Sequence, residues 1–334
     1  MKICIITHHE FWAEPFGCGT LMRARYELLK SYFGEVSVLY ISTSTGQCPL
    51  PGLTVNVKDT VTSQQVEEIL SYIKTNKTEL CYFSYNQFHA LVDYIDCKCI
   101  VEVHDVMHLR EEQFRAYNYK APYQADKEAE FNSLKKYDGV LAINLDEVAY
   151  LKNNGVVKST YLPPNIQFSN LDKPNNIDHF GLIGSNSKPN LDGLMLLPEK
   201  IKTSKNLIAA GPISVSDIGK TQFGKEVKLM GLLNDLTDFY QSVGLALSPV
   251  RFGAGLKIKV FEALSFNTPV LATLHSIEGF PPGIADVVTV VDQIEHWDED
   301  LILEAKNKNC FQIRDYFIEN FSVEKCYGIL KSIL

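Results

Sequence analysis

Ser248-Pro-Val-Arg-Phe-Gly-Ala-Gly-Leu-Lys-Ile-Lys-Val-Phe-Glu-Ala-Leu264 is the stretch on which the interpretation of the fold depends. It follows a β-rich apolar run at Gly244–Leu247, changes to helical spacing of apolar residues over Leu256–Leu264, and leads to another apolar run at Pro269–Ala272. Strand, glycine-containing turn, helix and strand in this order are typical of a βαβ unit in a parallel sheet. The stretch therefore predicts an α/β fold.

The same alternation extends along the whole chain of 334 residues. A stretch rich in proline and asparagine, Pro163–Asn176, interrupts it and is typical of an interdomain connection. We predict two doubly wound, Rossmann-like domains that face a cleft, at residues 1–170 and 171–312, with C-terminal helices at 313–334 that pack back toward the first domain. The predicted strands are Lys2–His8, Val36–Ile41, Leu80–Ser84, Cys99–His104, Val140–Asn144, Phe180–Ile183, Leu207–Ala210, Val227–Met230, Gly244–Leu247 and Pro269–Ala272.

Composition and charge restrict the class of protein. Hydrophobic residues make up 46% of the chain and charged residues 22%, which is the balance of a packed globular protein. The formal net charge of −8 argues against a nonspecific nucleic-acid binder, because neutralising phosphates requires a basic surface. The eight cysteines lack CxxC spacing, which indicates reduced thiols. We expect a cytoplasmic protein without a signal peptide or membrane span, and association with the inner face of the membrane stays open.

Glycines follow the first predicted strand, in the segment Glu14–Thr20. Gly17 and Gly19 allow a ligand to approach the backbone at the start of the first helix. Their spacing matches neither GxGxxG nor a Walker P-loop, which argues against a dehydrogenase. A plain strand-to-helix turn is the alternative interpretation.

Polar residues follow the predicted strand Cys99–His104. Because parallel strands carry ligand sites at their carboxyl ends, His104 and Asp105 are candidates for the catalytic side of the cleft. A histidine with a purely structural role is the alternative for His104. The same two interpretations apply to His8 and His9, at the end of the first strand.

The turn and helix after Ser248 carry the strongest signal for an anion site. Backbone N–H groups at a helix start, together with the helix dipole, favour negative charge. Lys257 and Lys259 place two cations in the predicted first turn, which is unfavourable beside the dipole unless an anion such as phosphate offsets them. Glu262, further along the helix, can accept hydrogen bonds from ribose hydroxyls, and a buried carboxylate that caps a neighbouring loop is the alternative.

The pattern Gly-Ala-Gly-x-Lys-x-Lys-x-x-Glu-Ala-Leu from Gly253, followed by Thr268-Pro-Val-Leu-Ala-Thr273, resembles the donor-site signature of glycosyltransferase family 4 and its group 1 relatives. These are enzymes of the GT-B architecture. Other landmarks occur in the order of that family: Gly17 and Gly19, His104-Asp105, Pro164-Asn165, Gly184 with Lys188, and Glu278-Gly279.

The resemblance implies transfer of a sugar from a nucleoside diphosphate sugar, with UDP or GDP as the nucleotide. It further implies retention of the anomeric configuration, no metal and no other cofactor. Glu262 would bind the ribose, Lys257 with the Gly253–Gly255 backbone would bind the diphosphate, and His104 would lie beside the reacting sugar. The remaining residues implied around the site are Gly17, Gly19, Asp105, Gly184, Lys188, Arg251, Ala254, Lys259 and Glu278.

Position 254 departs from the family pattern, since many members carry a second glutamate there and this chain has alanine. An inactive GT-B partner or scaffold subunit therefore stays open, and a nucleotide-sugar epimerase is the other alternative. We expect a glycan or a lipid- or protein-linked acceptor, as in polysaccharide biosynthesis. Aromatic candidates for its contact are Phe11, Trp12, Tyr117, Tyr119 and Tyr123. Asp298-Glu299-Asp300 matches a metal-binding Asp-x-Asp pattern but is more typical of a solvated helix start.

Overall fold

Two parallel sheets form the framework of the computed structural model, which describes residues 1–13, 17–43, 47–58, 60–169, 171 and 178–334. The first sheet has the order β3-β2-β1-β4-β5-β6-β7 and the second the order β10-β9-β8-β11-β12-β13. The strands are β1 (Lys2–Thr7), β2 (Glu35–Ser42), β3 (Gly52–Asn56), β4 (Leu80–Ser84), β5 (Lys98–Val103), β6 (Gly139–Ala142), β7 (Ser159–Tyr161), β8 (Phe180–Ile183), β9 (Leu207–Ala210), β10 (Lys228–Gly231), β11 (Leu245–Ser248), β12 (Val270–Ala272) and β13 (Thr289–Val290).

Every predicted strand overlaps a strand of the structure, and the predicted pair of doubly wound sheets is confirmed. Three strands were not predicted: β3, β7 and β13. They lie toward or at the edges of their sheets and have 5, 3 and 2 residues. At most one residue in each is buried, so these strands carry little of the apolar pattern by which a strand is recognised. The residue limits of the domains stay a prediction, and residue 170, at the predicted boundary, is outside the described residues.

Helices connect the strands and complete the chain. They are α1 (Cys18–Phe33), α2 (Ser63–Thr75), α3 (Met107–Ala116), α4 (Lys127–Leu134), α5 (Leu145–Asn153), α6 (Lys188–Leu196), α7 (Glu199–Lys202), α8 (Pro212–Val215), α9 (Asp217–Gln222), α10 (Thr237–Ser242), α11 (Ile258–Ser265), α12 (Leu274–Ile277), α13 (Ile284–Val287), α14 (Glu299–Lys306), α15 (Cys310–Phe321) and α16 (Val323–Ile333), with 3-10 helices at His89–Tyr94 and Ile294–His296. Asp298 caps α14 by accepting a hydrogen bond from the N–H of Leu301 at 2.8 Å. Within the described ranges, no helix is long and apolar enough to cross a membrane.

Hydrophobic clusters cover both faces of the first sheet. Along β1, Cys4 and Ile6 face one cluster, whereas Ile3 and Ile5 face the other. The second of these clusters also contains Cys326 and Leu330 of α16, although the preceding helix α15 packs on α11 of the second domain. The chain therefore returns to the first domain between its last two helices.

The strand order of each sheet indicates which loops are expected to bind a ligand. It reverses between β1 and β4 in the first sheet and between β8 and β11 in the second. Because a crevice opens at the carboxyl ends of the strands where the order reverses, the loops after these strands are the expected ligand-binding loops.

Candidate active site

Two glycines with left-handed backbone shape the loop between β11 and α11. Gly253 has a φ of 113° and Gly255 a φ of 72°, a region that glycine enters without steric cost. A Cβ at Gly255 would also lie 2.5 Å from the backbone oxygen of His104. The loop thus approaches the first domain at a distance that only glycine permits. It also delays the helix, which starts at Ile258 with Lys257 as its N-cap, two residues later than predicted.

Two lysines flank the start of α11. The ammonium group of Lys257 donates to the backbone oxygens of Gly253 and Gly255, at 3.3 and 3.0 Å, and that of Lys259 donates to the side-chain oxygen of Asn190. Burial lowers the pKa of Lys257 to about 8 and that of Lys259 to about 7. An approaching anion favours the charged form of an ammonium group. Both lysines are therefore suited to an anionic ligand.

Glu262 is buried on α11 and joins the two domains. Its Oε1 accepts a hydrogen bond at 3.2 Å from the backbone N–H of Gly17, the residue that directly precedes α1. Burial raises the pKa of Glu262 to about 7, against the opposing effects of this hydrogen bond and of the charge on Lys259. The carboxylate thus connects the glycine turn of the first domain to the helix of the second.

His104 and Asp105 follow β5 and form the opposite wall. His104 Nδ1 lies 3.1 Å from the Tyr85 hydroxyl, and burial lowers the pKa of this histidine. Arg110 donates to Oδ2 of Asp105 at 2.6 Å. Within the part of the chain that the structure describes, His104 Nε2 and Asp105 Oδ1 are buried without a hydrogen-bond partner. Buried polar atoms are seldom left unpaired, so this pair marks a place where a ligand can complete the hydrogen bonding.

A buried ion pair lies behind His104. Arg25 donates to both carboxylate oxygens of Glu102, at 3.0 and 3.2 Å, and Tyr82 donates to the same carboxylate. Glu102 Oε1 lies 3.7 Å from His104 Nε2. This pair was not predicted from the sequence, although a charged residue on the apolar face of α1 is a usable signal. The pair holds the end of β5 in place, and His104 is the residue that follows this strand.

These residues enclose a cavity of about 250 Å³ between the two domains, called here the donor cavity. Glycine backbone reaches it from four loops, those after β1, β8, β9 and β11. Ten of the fourteen predicted site residues line it: Gly17, His104, Asp105, Gly184, Gly253, Ala254, Gly255, Lys257, Lys259 and Glu262. Asn190 lines it as well.

The other four predicted residues do not line the donor cavity. Gly19 is buried in the first turn of α1, and Lys188 is the first residue of α6. Arg251 instead donates to both oxygens of Asp192, at 2.6 and 2.9 Å, because this carboxylate is buried nearby. Glu278 forms an ion pair of 2.7 Å with His275.

Most of the aromatic residues considered for acceptor contact are used in packing. Phe11 is 1% exposed, and Trp12 packs edge-on against Tyr40. Tyr117 and Tyr119 stack on Phe252 of the second domain, at centroid distances of 4.7 and 5.2 Å. Tyr123 is exposed. The stacked tyrosines therefore contribute to the contact between the domains.

Glu147 is a further site residue that the sequence analysis did not identify. It lies in the first turn of α5, is buried, and lines a second cavity of about 280 Å³ behind the glycine loop, together with Lys257 and Glu278. Its neighbour Asp146 accepts a hydrogen bond from the N–H of Gly279 at 2.8 Å. This hydrogen bond joins the start of α5 to a loop of the second domain.

Comparison with known proteins identifies the class. Residues 178–301 match the family described as "Glycosyl transferases group 1". No curated protein sequence matches the chain. Three solved structures share the whole fold. Sucrose-phosphate synthase from Thermosynechococcus elongatus has a TM-score of 0.73 at 14% identity and covers 99% of this chain and 98% of its own. TarM from S. aureus has a TM-score of 0.74 at 10% sequence identity, and the match covers 99% of both chains. HepE from Anabaena, in complex with UDP, has a TM-score of 0.70 at 12% sequence identity, and the match covers 99% of both chains.

The chain has the GT-B fold of these glycosyltransferases. Residues 178–301 match the group 1 family. Both the fold and the resemblance inferred from Gly253–Thr273 are thus confirmed.

Proposed function

We propose that this glycosyltransferase transfers a sugar from a UDP- or GDP-linked donor to a glycan or glycoconjugate acceptor, with retention of configuration and without a metal ion. The donor is assigned to residues 171–312 and the acceptor to residues 1–170. One observation carries the proposal: Lys259, Glu262 and the glycine loop of the second domain meet His104 of the first in a single cavity.

The diphosphate is assigned to the start of α11. Lys257 and Lys259 supply positive charge there, and the helix N-terminus adds its partial positive charge. Gly184 also lies close, because a Cβ at this position would be 3.4 Å from the Lys259 ammonium nitrogen. Glycine at this place lets phosphate oxygens approach the backbone.

Glu262 is assigned to the ribose. A carboxylate accepts hydrogen bonds from two neighbouring hydroxyls, and Glu262 lines the cavity beside its hydrogen bond with Gly17. UDP is the first nucleotide to test, since HepE from Anabaena was solved with UDP and with UDP-glucose.

The chemistry follows from where charge develops. The bond between the anomeric carbon and the diphosphate oxygen breaks, so the sugar ring becomes positive and the diphosphate more negative. The two lysines stabilise the departing diphosphate. The acceptor oxygen bonds to the anomeric carbon on the same face, and its proton passes to the departing phosphate oxygen. His104, neutral at pH 7 because burial lowers its pKa, positions the sugar without adding a positive charge beside the ring.

Thermal unfolding with UDP, GDP, CMP, ADP and dTDP tests the proposal. A nucleotide that binds only the folded state adds about 2.7 kcal/mol at a hundredfold excess over its dissociation constant. We expect one nucleoside diphosphate to raise the midpoint, Lys259→Ala to lose this shift, and Lys188→Ala to keep it, because Lys188 does not line the cavity.

The absence of a shift with every nucleotide would contradict the donor site and support an inactive partner subunit. Product analysis then separates the two enzymatic classes. Epimerisation of the donor's sugar in the absence of acceptor indicates an epimerase. A glycosylated acceptor indicates the proposed transferase.

A further inference from the structure

We infer that a separate cavity of the first domain binds an uncharged sugar unit of the acceptor, an inference that rests on the proposed transfer reaction. This cavity, called here the His8 cavity, has a volume of about 690 Å³ and opens at the carboxyl ends of β1, β2 and β4. Ligand sites commonly measure about 300–1,000 Å³. Its walls include His8, Thr43, Gln87, Phe88, Ala90 and Tyr94.

Charge separates the His8 cavity from the donor cavity. No lysine, arginine, aspartate or glutamate is found among the described residues that line the His8 cavity. The donor cavity, in contrast, is lined by Asp105, Arg110, Lys257, Lys259 and Glu262. A carboxylate or phosphate entering the His8 cavity would lose hydration without gaining a lysine or arginine counter-charge from these residues. The described wall therefore favours a neutral sugar over an anionic one.

The side chains of the His8 cavity match the two kinds of surface on a sugar. A pyranose has an apolar face of C–H groups and an edge of hydroxyls. Phe88 and Tyr94 offer ring faces, and Tyr94 is 62% exposed. Thr43 and Gln87, both exposed, offer a hydroxyl and an amide that donate and accept hydrogen bonds. Neutral hydroxyl-rich ligands gain from both surfaces.

The side-chain rings of His8, His9 and Tyr85 lie between the two cavities. The His8 ring centroid lies 5.9 Å from that of Tyr85, and His9 stacks on Tyr85 at 4.9 Å. Tyr85 itself lines the donor cavity and lies beside His104. An acceptor that is seated in the His8 cavity and extends past Tyr85 thus reaches the wall to which we assign the reacting sugar.

Saturation-transfer NMR on the full chain with excess UDP tests the inference. The neutral probes are the methyl glycosides of glucose, galactose and N-acetylglucosamine, and the anionic probes are methyl glucuronide and glucose 6-phosphate. We expect a saturation-transfer signal from at least one neutral glycoside. The anionic probes should bind more weakly by about tenfold or more. Ala90→Trp, which fills the mouth of the cavity, should abolish the neutral signal. Ala129→Trp, at an exposed alanine of α4, should keep it.

A second variant keeps the test decisive if Ala90→Trp does not fold. Gln87→Arg adds a cation to the wall, so methyl glucuronide should bind this variant about tenfold more tightly than it binds the unaltered protein. The inference is overturned if no neutral glycoside gives a signal, if anionic probes bind as tightly, or if the signal survives Ala90→Trp. The thermal shift with the nucleotides is recorded separately: its absence with every one of them contradicts the proposed function, whereas Ala90-dependent binding of a neutral glycoside still supports the cavity.

Discussion

The carboxylate of Glu147 accepts a hydrogen bond from the backbone N–H of Gly255 at 2.7 Å, across the boundary between the two domains. Its other oxygen accepts from the N–H of Val106 at 3.1 Å, in the loop that follows His104. One buried carboxylate therefore binds both the glycine loop and the loop of the opposite wall. Burial raises the pKa of Glu147 to about 8, with the charge of Asp105 acting in the same direction.

The first prediction concerns this bridge. We expect Glu147→Gln to lower turnover by about tenfold, because the glutamine amide has one oxygen and cannot accept from both the Gly255 and the Val106 N–H. A buried donor left unpaired costs ~1–3 kcal/mol, and ~1.4 kcal/mol corresponds to tenfold. Steady-state kinetics with saturating donor measures the effect. Glu128→Gln, at an exposed acid of α4, is the control and should leave turnover unchanged. Equal turnover in both variants would show that the bridge has no role in assembling the site.

The second prediction concerns the glycine loop. Alanine at position 253 or 255 suffers backbone strain of ~1–3 kcal/mol, since both glycines have positive φ. Only Gly255→Ala also brings a Cβ to 2.5 Å from the His104 oxygen, whereas at position 253 the nearest atom is a Pro189 side-chain carbon at 3.5 Å. The midpoint temperature of unfolding and the turnover should therefore both be lower in Gly255→Ala than in Gly253→Ala. A greater loss in Gly253→Ala would contradict the close approach of the domains.

The third prediction concerns pH. Burial lowers the pKa of Lys259 to about 7 and of Lys257 to about 8, so both lose protons near neutral pH when the site is empty. A bound diphosphate favours their charged forms and raises these pKa values. Binding of UDP should then take up protons, and its affinity should fall as pH rises above about 7. Calorimetry in buffers of different ionisation enthalpy counts the protons, and Lys259→Ala should reduce the uptake. Proton release on binding would refute this assignment.

The fourth prediction concerns the ion pair behind His104. Arg25→Met leaves the Glu102 charge buried without its partner, which should lower the free energy of unfolding by about 3–5 kcal/mol. The double variant Arg25→Met/Glu102→Leu should recover much of the loss. Urea denaturation provides the measurement. Lys2→Met serves as the control, because its contact with Glu35 is solvent-exposed and contributes at most about 1 kcal/mol.

Local patterns in the sequence were sufficient for ten of the thirteen described strands, the class of fold and the glycine-lysine segment that lines the cavity. The reason is that strand periodicity, helix starts and glycine turns depend on residues close together in the chain. Gly253, Gly255, Lys257, Lys259 and Glu262 all lie within ten residues, so their proximity in the cavity required no knowledge of the fold. The short strands β3, β7 and β13 had no such pattern.

Only the tertiary structure decided which distant residues meet this segment. Gly17 and Glu262 are 245 residues apart, and Glu147 and Gly255 are 108 apart, yet both pairs are hydrogen-bonded. Arg251 belongs to the donor-site segment in the sequence, but a buried carboxylate on another helix, Asp192, binds it away from the cavity. A side chain's partners depend on how two domains dock, and docking is a sum of long-range contacts that no local spacing encodes.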